Sequence, residues 1–282
     1  MNSENTNLLN KEIKVLDKGF VRLVDVMGND SSIVQAARVS YGVGTKTVNE
    51  DRGLIRYLLR HKHTTPFEMV EFKFHIKLPI FIARQWIRHR TANVNEYSGR
   101  YSEMKDEFYL PDVEQLRHQS TLNKQARSEE QLDNQVSLEI QEMMQDTQES
   151  LYNEYKDLLD KNLAREIARI NLPLSNYTEW YWKIDLHNLF HFLRLRIDDH
   201  AQYEIQVYGK AIAEIVKEIV PTAWEAFEDY ILGAEYFSKM EVKALKQLID
   251  FSKVESLDGE TFGLKKREFN ELVDKLNKIS NL

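Results

Sequence analysis

The 282-residue sequence contains no cysteine. Disulfide bonds, thiolate metal sites and any mechanism that needs a cysteine nucleophile are therefore excluded. Long apolar runs are also missing, because the longest one, residues 78–83, is much too short to span a bilayer. The N-terminus is polar with no apolar stretch behind it, unlike a secretory signal. We therefore expect a cytoplasmic protein with no membrane role.

Positive charge is also scarce: the formal net charge is -7 and the pI is near 5.7. This balance argues against a surface that attracts nucleic acid or anionic membrane over its whole extent, so an anionic ligand must find a local basic pocket. Hydrophobic residues make up 42% of the chain and charged residues 29%, which is ordinary for a folded globular protein. A chain of this length buries a sizeable core without staples or metal.

The N-terminal third carries two β-strand patterns. The β-rich runs 13–16 and 20–26 flank the turn residues Asp17-Lys18-Gly19, which predicts a hairpin. From Glu71 to Leu78 apolar and polar residues alternate strictly, which predicts a half-buried strand.

Helical patterns follow Pro79 and continue through the rest of the chain. Ile80, Ala83 and Ile87 recur at helical spacing, which places Arg88-His89-Arg90 toward the end of a helix. Other predicted helices cover 31–39, 51–61, 136–158, 164–170, 186–196 and 201–219. The sequence therefore predicts an α+β fold in which a mixed or antiparallel sheet packs against several helices.

Two segments lie outside this pattern. Residues 118–134 are polar and nearly free of large apolar side chains, which indicates an exposed, mobile connector. The charged tail from about Met240 keeps Phe269, Leu272, Leu276 and Ile279 at alternating three and four spacing, which predicts a packed or partner-binding helix.

Segment 81–101 concentrates positive charge in an acidic protein. It contains Arg84, Arg88, Arg90 and Arg100 against only Glu96. Successive helical residues point about 100° apart, so Arg88, His89 and Arg90 suit a helix end between ligands or subunits. Arginine matches phosphate oxygens with a planar fork of donors.

The following Ser98-Gly99-Arg100 supplies a hydroxyl, a residue that permits close backbone approach, and another guanidinium. These residue types suit a phosphate-cradling turn. A solvated helix end with a turn explains the same residues equally well, so at this point both interpretations stand.

A second polar cluster contains histidines and arginines near two aspartates. His187 and His191 are four apart, as are Arg196 and His200, so each pair shares a face if the helix runs through. Histidines at this spacing are able to bind zinc, although nearby arginines would repel a cation. The plain structural interpretation of Arg196 is a buried arginine paired with Asp198 or Asp199.

The aromatic residues Tyr177, Trp180, Tyr181 and Trp182 could stack a flavin or pterin ring, but such groups more often belong to the core. His61 and His63 flank Lys62 before a loop, where solvent-exposed histidines are the ordinary explanation.

Taken in order, these pieces resemble the flavin-dependent thymidylate synthases. The pattern Arg88-His89-Arg90, seven residues, Ser98-Gly99-Arg100 is similar to the signature of that family. Further similar stretches are 63–68, 81–86, 165–173 and 195–202, and the likeness covers about residues 11 to 235.

The resemblance implies a fold of the thymidylate-synthase-complementing-protein type and reductive methylation of dUMP to dTMP. Methylenetetrahydrofolate would give the carbon, and FAD reduced by NADPH would give the hydride. The resemblance also implies a homotetramer with sites shared between subunits, and a catalytic domain, 1–235, containing the connector near 112–134. A charged helical extension, 236–282, would follow.

The same likeness assigns residues to each ligand. For dUMP they are Gln85, Trp86, Ile87, Arg88, Glu96, Tyr97, Ser98, Gly99, Arg100, Arg169 and Arg196. For FAD they are Thr65, Arg88, His89, Arg90, Glu96, Asp185, Leu186, His187 and His191, and His63 borders the flavin ring and the folate. Arg196 is the expected catalytic residue, because it would polarise the uracil and stabilise developing negative charge. No metal is expected.

The missing cysteine fits this family, since the classical thymidylate synthase attacks uracil with a thiolate. Ser98 would need an adjacent base to act as a nucleophile, and none is obvious in the local sequence, so we expect it to be a ligand. One common family pattern has asparagine, arginine and asparagine where this chain has Asp185, His187 and His191. The rival hypotheses are a metal-dependent hydrolase using His187, His191 and His200, and a non-catalytic RNA-binding module.

Overall fold

The structure, a computed structural model, describes residues 8–39, 48–121 and 126–281. The chain divides into two compact units, 1–232 and 233–282. The strands are β1 (Glu12–Val15), β2 (Gly19–Met27), β3 (Glu71–Pro79), β4 (Asn93–Glu96), β5 (Arg117–Gln119), β6 (Arg127–Gln131) and β7 (Tyr177–Asp185). In the described part of the chain, five of these form one sheet in the order β1-β2-β3-β7-β4, with every neighbouring pair antiparallel.

The first unit contains most of the helices. They are α1 (Asp30–Val39), α2 (Val48–Arg60), α3 (Thr65–Glu68), α4 (Ile80–Trp86), α5 (Asn134–Asp160), α6 (Arg165–Ala168), α7 (Leu186–Arg196), α8 (Tyr203–Ile219) and α9 (Pro221–Phe227). Short 3-10 helices cover Val113–Gln115 and Arg169–Asn171, and a π-helical turn covers Glu228–Leu232. The predicted α+β class is confirmed.

Strand β3 forms because its residues alternate as a half-buried strand requires. Phe72, Phe74 and Ile76 are fully buried, whereas Lys73 and His75 on the opposite face are half-buried. Both predictions for this region are confirmed, since β1 and β2 form the expected hairpin and β3 covers the expected strand.

Aromatic side chains connect the sheet to the helices on its apolar face. The Trp86 ring on α4 stacks on Phe192 of α7 at 4.6 Å and meets Trp182 of β7 edge-on at 5.1 Å. Trp180 is buried on the same face, whereas Tyr177 and Tyr181 lie on the other face, where Tyr177 is buried and Tyr181 is exposed. Most of the aromatic group on β7 is therefore core, and this core fixes the ends of α4 and α7.

The structure contradicts the expected end of one helix and confirms that of another. Helix α4 ends at Trp86, so Arg88-His89-Arg90 lies in the turn beyond the helix. Ile87 is the C-cap, and its side chain is exposed instead of extending the apolar face. Helix α7 has the predicted bounds, 186–196, and beyond its end Asp198 accepts a hydrogen bond from the backbone N–H of His200 and stabilises a turn. Arg196 and His200 therefore do not share a helix face.

The polar region before α5 contains a small hairpin. Strands β5 and β6 pair antiparallel there, and residues 122–125 of the predicted connector lie outside the described residues. Helix α5 begins at an N-cap, Asp133, whose carboxylate accepts from the backbone N–H groups of Gln135 and Val136.

The second unit contains α10 (Lys239–Leu248) and α11 (Lys266–Ser280), with 3-10 helices at Phe251–Ser256 and Glu260–Phe262. Ser238 and Glu241 form a capping box at the start of α10. Helix α11 carries the predicted tail pattern from Phe269 to Ile279. Within the described residues, the structure has no helix with the length and apolar character needed to cross a membrane.

Candidate active site

The pair formed by Arg196 and His89 lies where α7 and the turn after α4 meet. The Arg196 Nε donates a hydrogen bond to His89 Nε2 at 3.0 Å, across 107 positions of sequence. The His89 ring also meets Phe192 edge-on at 4.9 Å. Because Nε2 accepts this bond, His89 is neutral when the bond forms.

Burial and charge both keep His89 neutral. Burial lowers the pKa of His89 to about 4, and the positive charges of Arg196 and His191 act in the same direction. Burial also lowers the pKa of Arg196. The site therefore holds a half-buried cation beside a neutral ring.

Arg196 does not pair with either neighbouring aspartate. Asp198 bonds His200 Nδ1 at 2.8 Å, and among the described residues no carboxylate forms an ion pair with Arg196. The interpretation of Arg196 as half of a buried ion pair with Asp198 or Asp199 is therefore wrong. An arginine without a carboxylate partner can interact with an anionic ligand.

Helix α7 positions the histidines that follow β7. Asp185 ends β7 and caps α7, because its carboxylate accepts from the backbone N–H of Asn188 at 2.9 Å. His187 is half-buried, and His191 is exposed with its ring 5.9 Å from that of His89. Burial lowers the pKa of His191, and Arg194 and His187 lower it further.

The alternative metal site has no support in the structure. Within the ranges 8–39, 48–121 and 126–281, no three or more histidine, aspartate and glutamate side chains are placed to hold a metal ion. His187, His191 and His200 do not form such a set, so the structure does not support the hypothesis of a metal-dependent hydrolase.

The turn Ser98-Gly99-Arg100 follows β4 and approaches Arg169 closely. A methyl group added to Gly99 would lie 3.1 Å from Arg169 Cδ and 2.7 Å from Met104 Sδ, so a larger residue here would force these side chains to shift. The Ser98 Oγ accepts from the Arg100 backbone N–H at 3.3 Å. Arg100 forms an ion pair with Glu166 at 3.0 Å, and both of its members are exposed.

The other arginines of the predicted site differ in how exposed they are to solvent. Arg88 and Arg90 are exposed, and Arg169 is half-buried. In the described part of the chain none of these three arginines has a carboxylate partner. With Arg196, this acidic protein has four arginines whose charge no described carboxylate balances, and such charges are available to an anionic ligand.

Several predicted site residues have side chains that are buried or already hydrogen-bonded within the protein. The side chains of Trp86 and Leu186 are fully buried, so contact through them would have to use backbone atoms. The Glu96 carboxylate accepts from Thr178 Oγ1 at 2.8 Å, and the Tyr97 hydroxyl donates to the Glu103 carbonyl at 2.5 Å. Gln85 donates to the side-chain oxygen of Gln202.

His63 and Thr65 line a cleft formed by α1, α2 and α3. Its volume is about 1010 Å³, at the upper end of the range typical of small-molecule sites. The Tyr57 ring stacks near His63 at 5.9 Å, which gives the cleft an aromatic wall. A second cleft of about 560 Å³ contains Asp17, Asp106, Asp112 and Glu149 in its lining, so it is unsuited to an anion.

Sequence reasoning missed the residues that support Gln85. Gln202 lies in a stretch that carried the family resemblance, but it was given no role. Glu204, Tyr109 and Arg127 gave no signal, because their contacts with one another span distant parts of the chain.

The α+β fold, the arginines without a carboxylate partner and the large cleft suit a protein that binds an anionic small molecule. A family model described as thymidylate synthase complementing protein matches residues 22–222. The flavin-dependent thymidylate synthase of Rickettsia prowazekii (strain Madrid E) is 56% identical over 278 residues, covering 94% of each chain. That of Treponema denticola is 56% identical over 268 residues, covering 95% of this chain and 98% of the relative.

A solved structure is also similar. It is the UMP/dUMP methylase PolB from Streptomyces cacaoi bound with 5-Br dUMP, with a TM-score of 0.70 and 33% identity. The match covers 78% of this chain and 99% of that one. The chain belongs to the thymidylate synthase complementing protein family, as the resemblance predicted.

Proposed function

We propose that this chain catalyses the reductive methylation of dUMP to dTMP, with 5,10-methylenetetrahydrofolate giving the carbon and NADPH-reduced FAD giving the hydride. The names of its relatives and the dUMP analogue bound to the similar methylase support this activity. The observation in the chain itself that carries the proposal is Arg196, a half-buried cation whose hydrogen-bond partner is the neutral His89.

Arg196 would act on the uracil ring. A guanidinium held in place before the reaction stabilises negative charge as it develops, without the cost of reorganising solvent. Neutral His89 accepts from Arg196 Nε and so orients the guanidinium without cancelling its charge. Since the chain has no cysteine, the reaction does not use a cysteine thiolate.

The nucleotide phosphate would lie against the turn after β4. Ser98, Gly99, Arg100 and Arg169 meet there, and the missing side chain of Gly99 leaves room for Arg169. Ser98 is a ligand in this proposal, because its hydroxyl already accepts a hydrogen bond from the Arg100 backbone. The other proposed dUMP residues are Gln85, Trp86, Ile87, Arg88, Glu96 and Tyr97.

The described residues fit a flavin. The cleft beside His63 and Thr65 is large, and its aromatic wall suits a planar ring system. FAD would be held by Thr65, Arg88, His89, Arg90, Glu96, Asp185, Leu186, His187 and His191. His63 would border the flavin ring and the folate.

We also propose a homotetramer whose sites are shared between subunits. Ile167, Ile170 and Leu174 flank Arg169 in sequence and are 49%, 70% and 61% exposed, respectively. Apolar side chains exposed beside a proposed site residue are suited to burial against another subunit.

The proposal divides the chain into a catalytic domain, 1–235, and a charged helical extension, 236–282. The matched family region, which ends at residue 222, supports this division. We further propose that the protein is cytoplasmic.

The test is to purify the chain, record its visible spectrum and metal content, and assay dTMP formation from dUMP with methylenetetrahydrofolate and NADPH. We expect a flavin spectrum and dTMP. A colourless protein that takes up no FAD, or one with stoichiometric zinc, would contradict the proposal.

A further inference from the structure

Glu204, the second residue of α8, is a carboxylate almost completely removed from water. Its side chain is 5% exposed. Three side chains donate to it: Arg127 Nη2 at 2.8 and 2.7 Å, Gln202 Nε2 at 2.8 Å and the Tyr109 hydroxyl at 3.1 Å. A buried carboxylate requires such compensation, and Arg127 supplies the opposite charge.

The charge of Glu204 determines how the next side chain is oriented. An ionised carboxylate only accepts hydrogen bonds, so Gln202 must turn its NH₂ group toward Glu204. Its carbonyl oxygen is then left to accept from Gln85 Nε2, the contact that the structure contains. The Gln85 amide is thereby oriented as well, with its Oε1 and one N–H left for a ligand.

Arg127 is held in place from both sides. Its Nη1 donates to the Gln115 carbonyl at 2.9 Å, and its guanidinium lies 5.5 Å from the Tyr203 ring centroid. Arg127 begins β6, so these contacts attach the β5–β6 hairpin to the start of α8. The hairpin thus connects to a residue proposed to bind dUMP.

We propose that Arg127 is a positioning residue for the nucleotide site, acting through Glu204 and Gln202 to fix the orientation of the Gln85 amide. The inference rests on the proposed function, in which Gln85 contacts dUMP. Without Arg127, Glu204 loses its opposite charge and both hydrogen bonds that Arg127 donates, so the position of its carboxylate is no longer fixed. A carboxylate that moves no longer holds the NH₂ group of Gln202, which allows that amide to turn over and removes the constraint on Gln85.

The experiment is a double-mutant cycle between Arg127→Met and Gln85→Leu in the full-length flavin-loaded protein, with KM for dUMP and kcat measured for each. We expect Arg127→Met to raise KM for dUMP about tenfold, with kcat little changed. In the Gln85→Leu background the same change should have no further effect, because the oriented group is gone. Arg127→Lys, which keeps the charge, should recover most of the affinity.

Two controls separate positioning from folding. Arg117→Met alters the other strand of the hairpin, where Arg117 donates to the Glu114 carbonyl, and should leave KM unchanged. If Arg127→Met does not fold, Glu204→Gln removes the charge with little change in shape and should raise KM similarly. A folded Arg127→Met or Glu204→Gln with wild-type KM, or additive effects in the cycle, would overturn the inference.

The outcome for Gln85→Leu alone separates this inference from the proposed function. If that variant leaves KM for dUMP unchanged, the assignment of Gln85 to the substrate is wrong and the inference fails with it. If Gln85→Leu raises KM but Arg127→Met does not, the proposed function stands and only the role of Arg127 is contradicted.

Discussion

Among the described residues, His89 and His75 each contact an arginine, and their surroundings are opposite. Between α7 and the turn after α4, His89 accepts from Arg196, and no carboxylate of the described residues balances that charge. On the polar face of the sheet, Arg22 contacts His75 Nδ1 at 2.5 Å, and Glu179 contacts His75 Nε2 at 2.8 Å.

On this polar face, each charged side chain around His75 has a partner of opposite charge. Lys105 pairs with the other oxygen of Glu179 at 2.7 Å, Arg22 pairs with Glu12 at 3.3 Å, and Tyr181 stacks on His75. Similar residue types therefore have different consequences. Where charges are paired, they contribute to the fold, and where they are not, they are available to a ligand.

The largest expected effect comes from removing the unpaired charge. Arg196→Ala should lower kcat for dTMP formation by about 10²–10³-fold, the loss typical when one preorganised donor to developing negative charge is removed. FAD should remain bound, which the visible spectrum of the purified variant will show. Steady-state kinetics with dUMP measures the loss.

Arg22→Ala is the matched control, because it removes an arginine from the compensated histidine. It should leave kcat unchanged. Equal losses of kcat in both variants, or full activity in Arg196→Ala, would show that the absence of a carboxylate partner at Arg196 has no role in the reaction.

A smaller effect is expected from filling the space at Gly99. In Gly99→Ala the new methyl group would lie 2.7 Å from Met104 Sδ and 3.1 Å from Arg169 Cδ, so Arg169 must shift. We expect KM for dUMP to rise about tenfold, equivalent to about 1.4 kcal/mol. Gly53→Ala is the control, since a Cβ there meets nothing within 4 Å and alanine favours the helix. An unchanged KM in Gly99→Ala would remove Arg169 from the phosphate site.

The parts of this architecture that the sequence predicted are those encoded locally. The alternation from Glu71 to Leu78 determines which face of β3 is buried, whatever the rest of the chain does. The end of α4 was placed wrongly because Ile87 has the right spacing but an exposed side chain. The spacing of apolar residues does not show at which residue other parts of the protein cease to pack against the apolar face of a helix.

The interactions at the site depend on distant partners. The plain structural interpretation paired Arg196 with an adjacent aspartate, yet its partner His89 lies 107 positions away. Gln85 and Gln202 are 117 positions apart, and Arg127 and Glu204 are 77 apart. Such contacts leave no periodic pattern, so the family resemblance supplied residue roles that spacing did not.

The titration of His89 provides a direct measure of the unpaired charge. Its pKa is about 4, below the ordinary 6.5, because of burial and then the charge of Arg196. Between these values the unfolded chain binds more protons than the folded one, so this group's contribution to stability falls as pH falls below 6.5. In Arg196→Ala the pKa of His89 should rise toward 6.5, which an NMR titration of the ring will show. No rise would mean that Arg196 does not act on His89, and Arg22→Ala should leave it unchanged.

The smallest effect is expected on the compensated face, where Glu179→Gln should lower the free energy of unfolding by about 1 kcal/mol or less. Burial raises the pKa of Glu179, but hydrogen bonds from Lys105 and His75 outweigh it and hold the pKa below its usual 4.5. A lowered carboxyl pKa contributes stability above the unfolded value and loses it as pH falls through the folded value. Urea unfolding should therefore separate variant and wild type at about pH 7 and bring them together in acid, with kcat unchanged. A fall in kcat would mean that the paired charges around His75 also serve the reaction. The distinction between paired structural charges and unpaired functional charges would then be wrong.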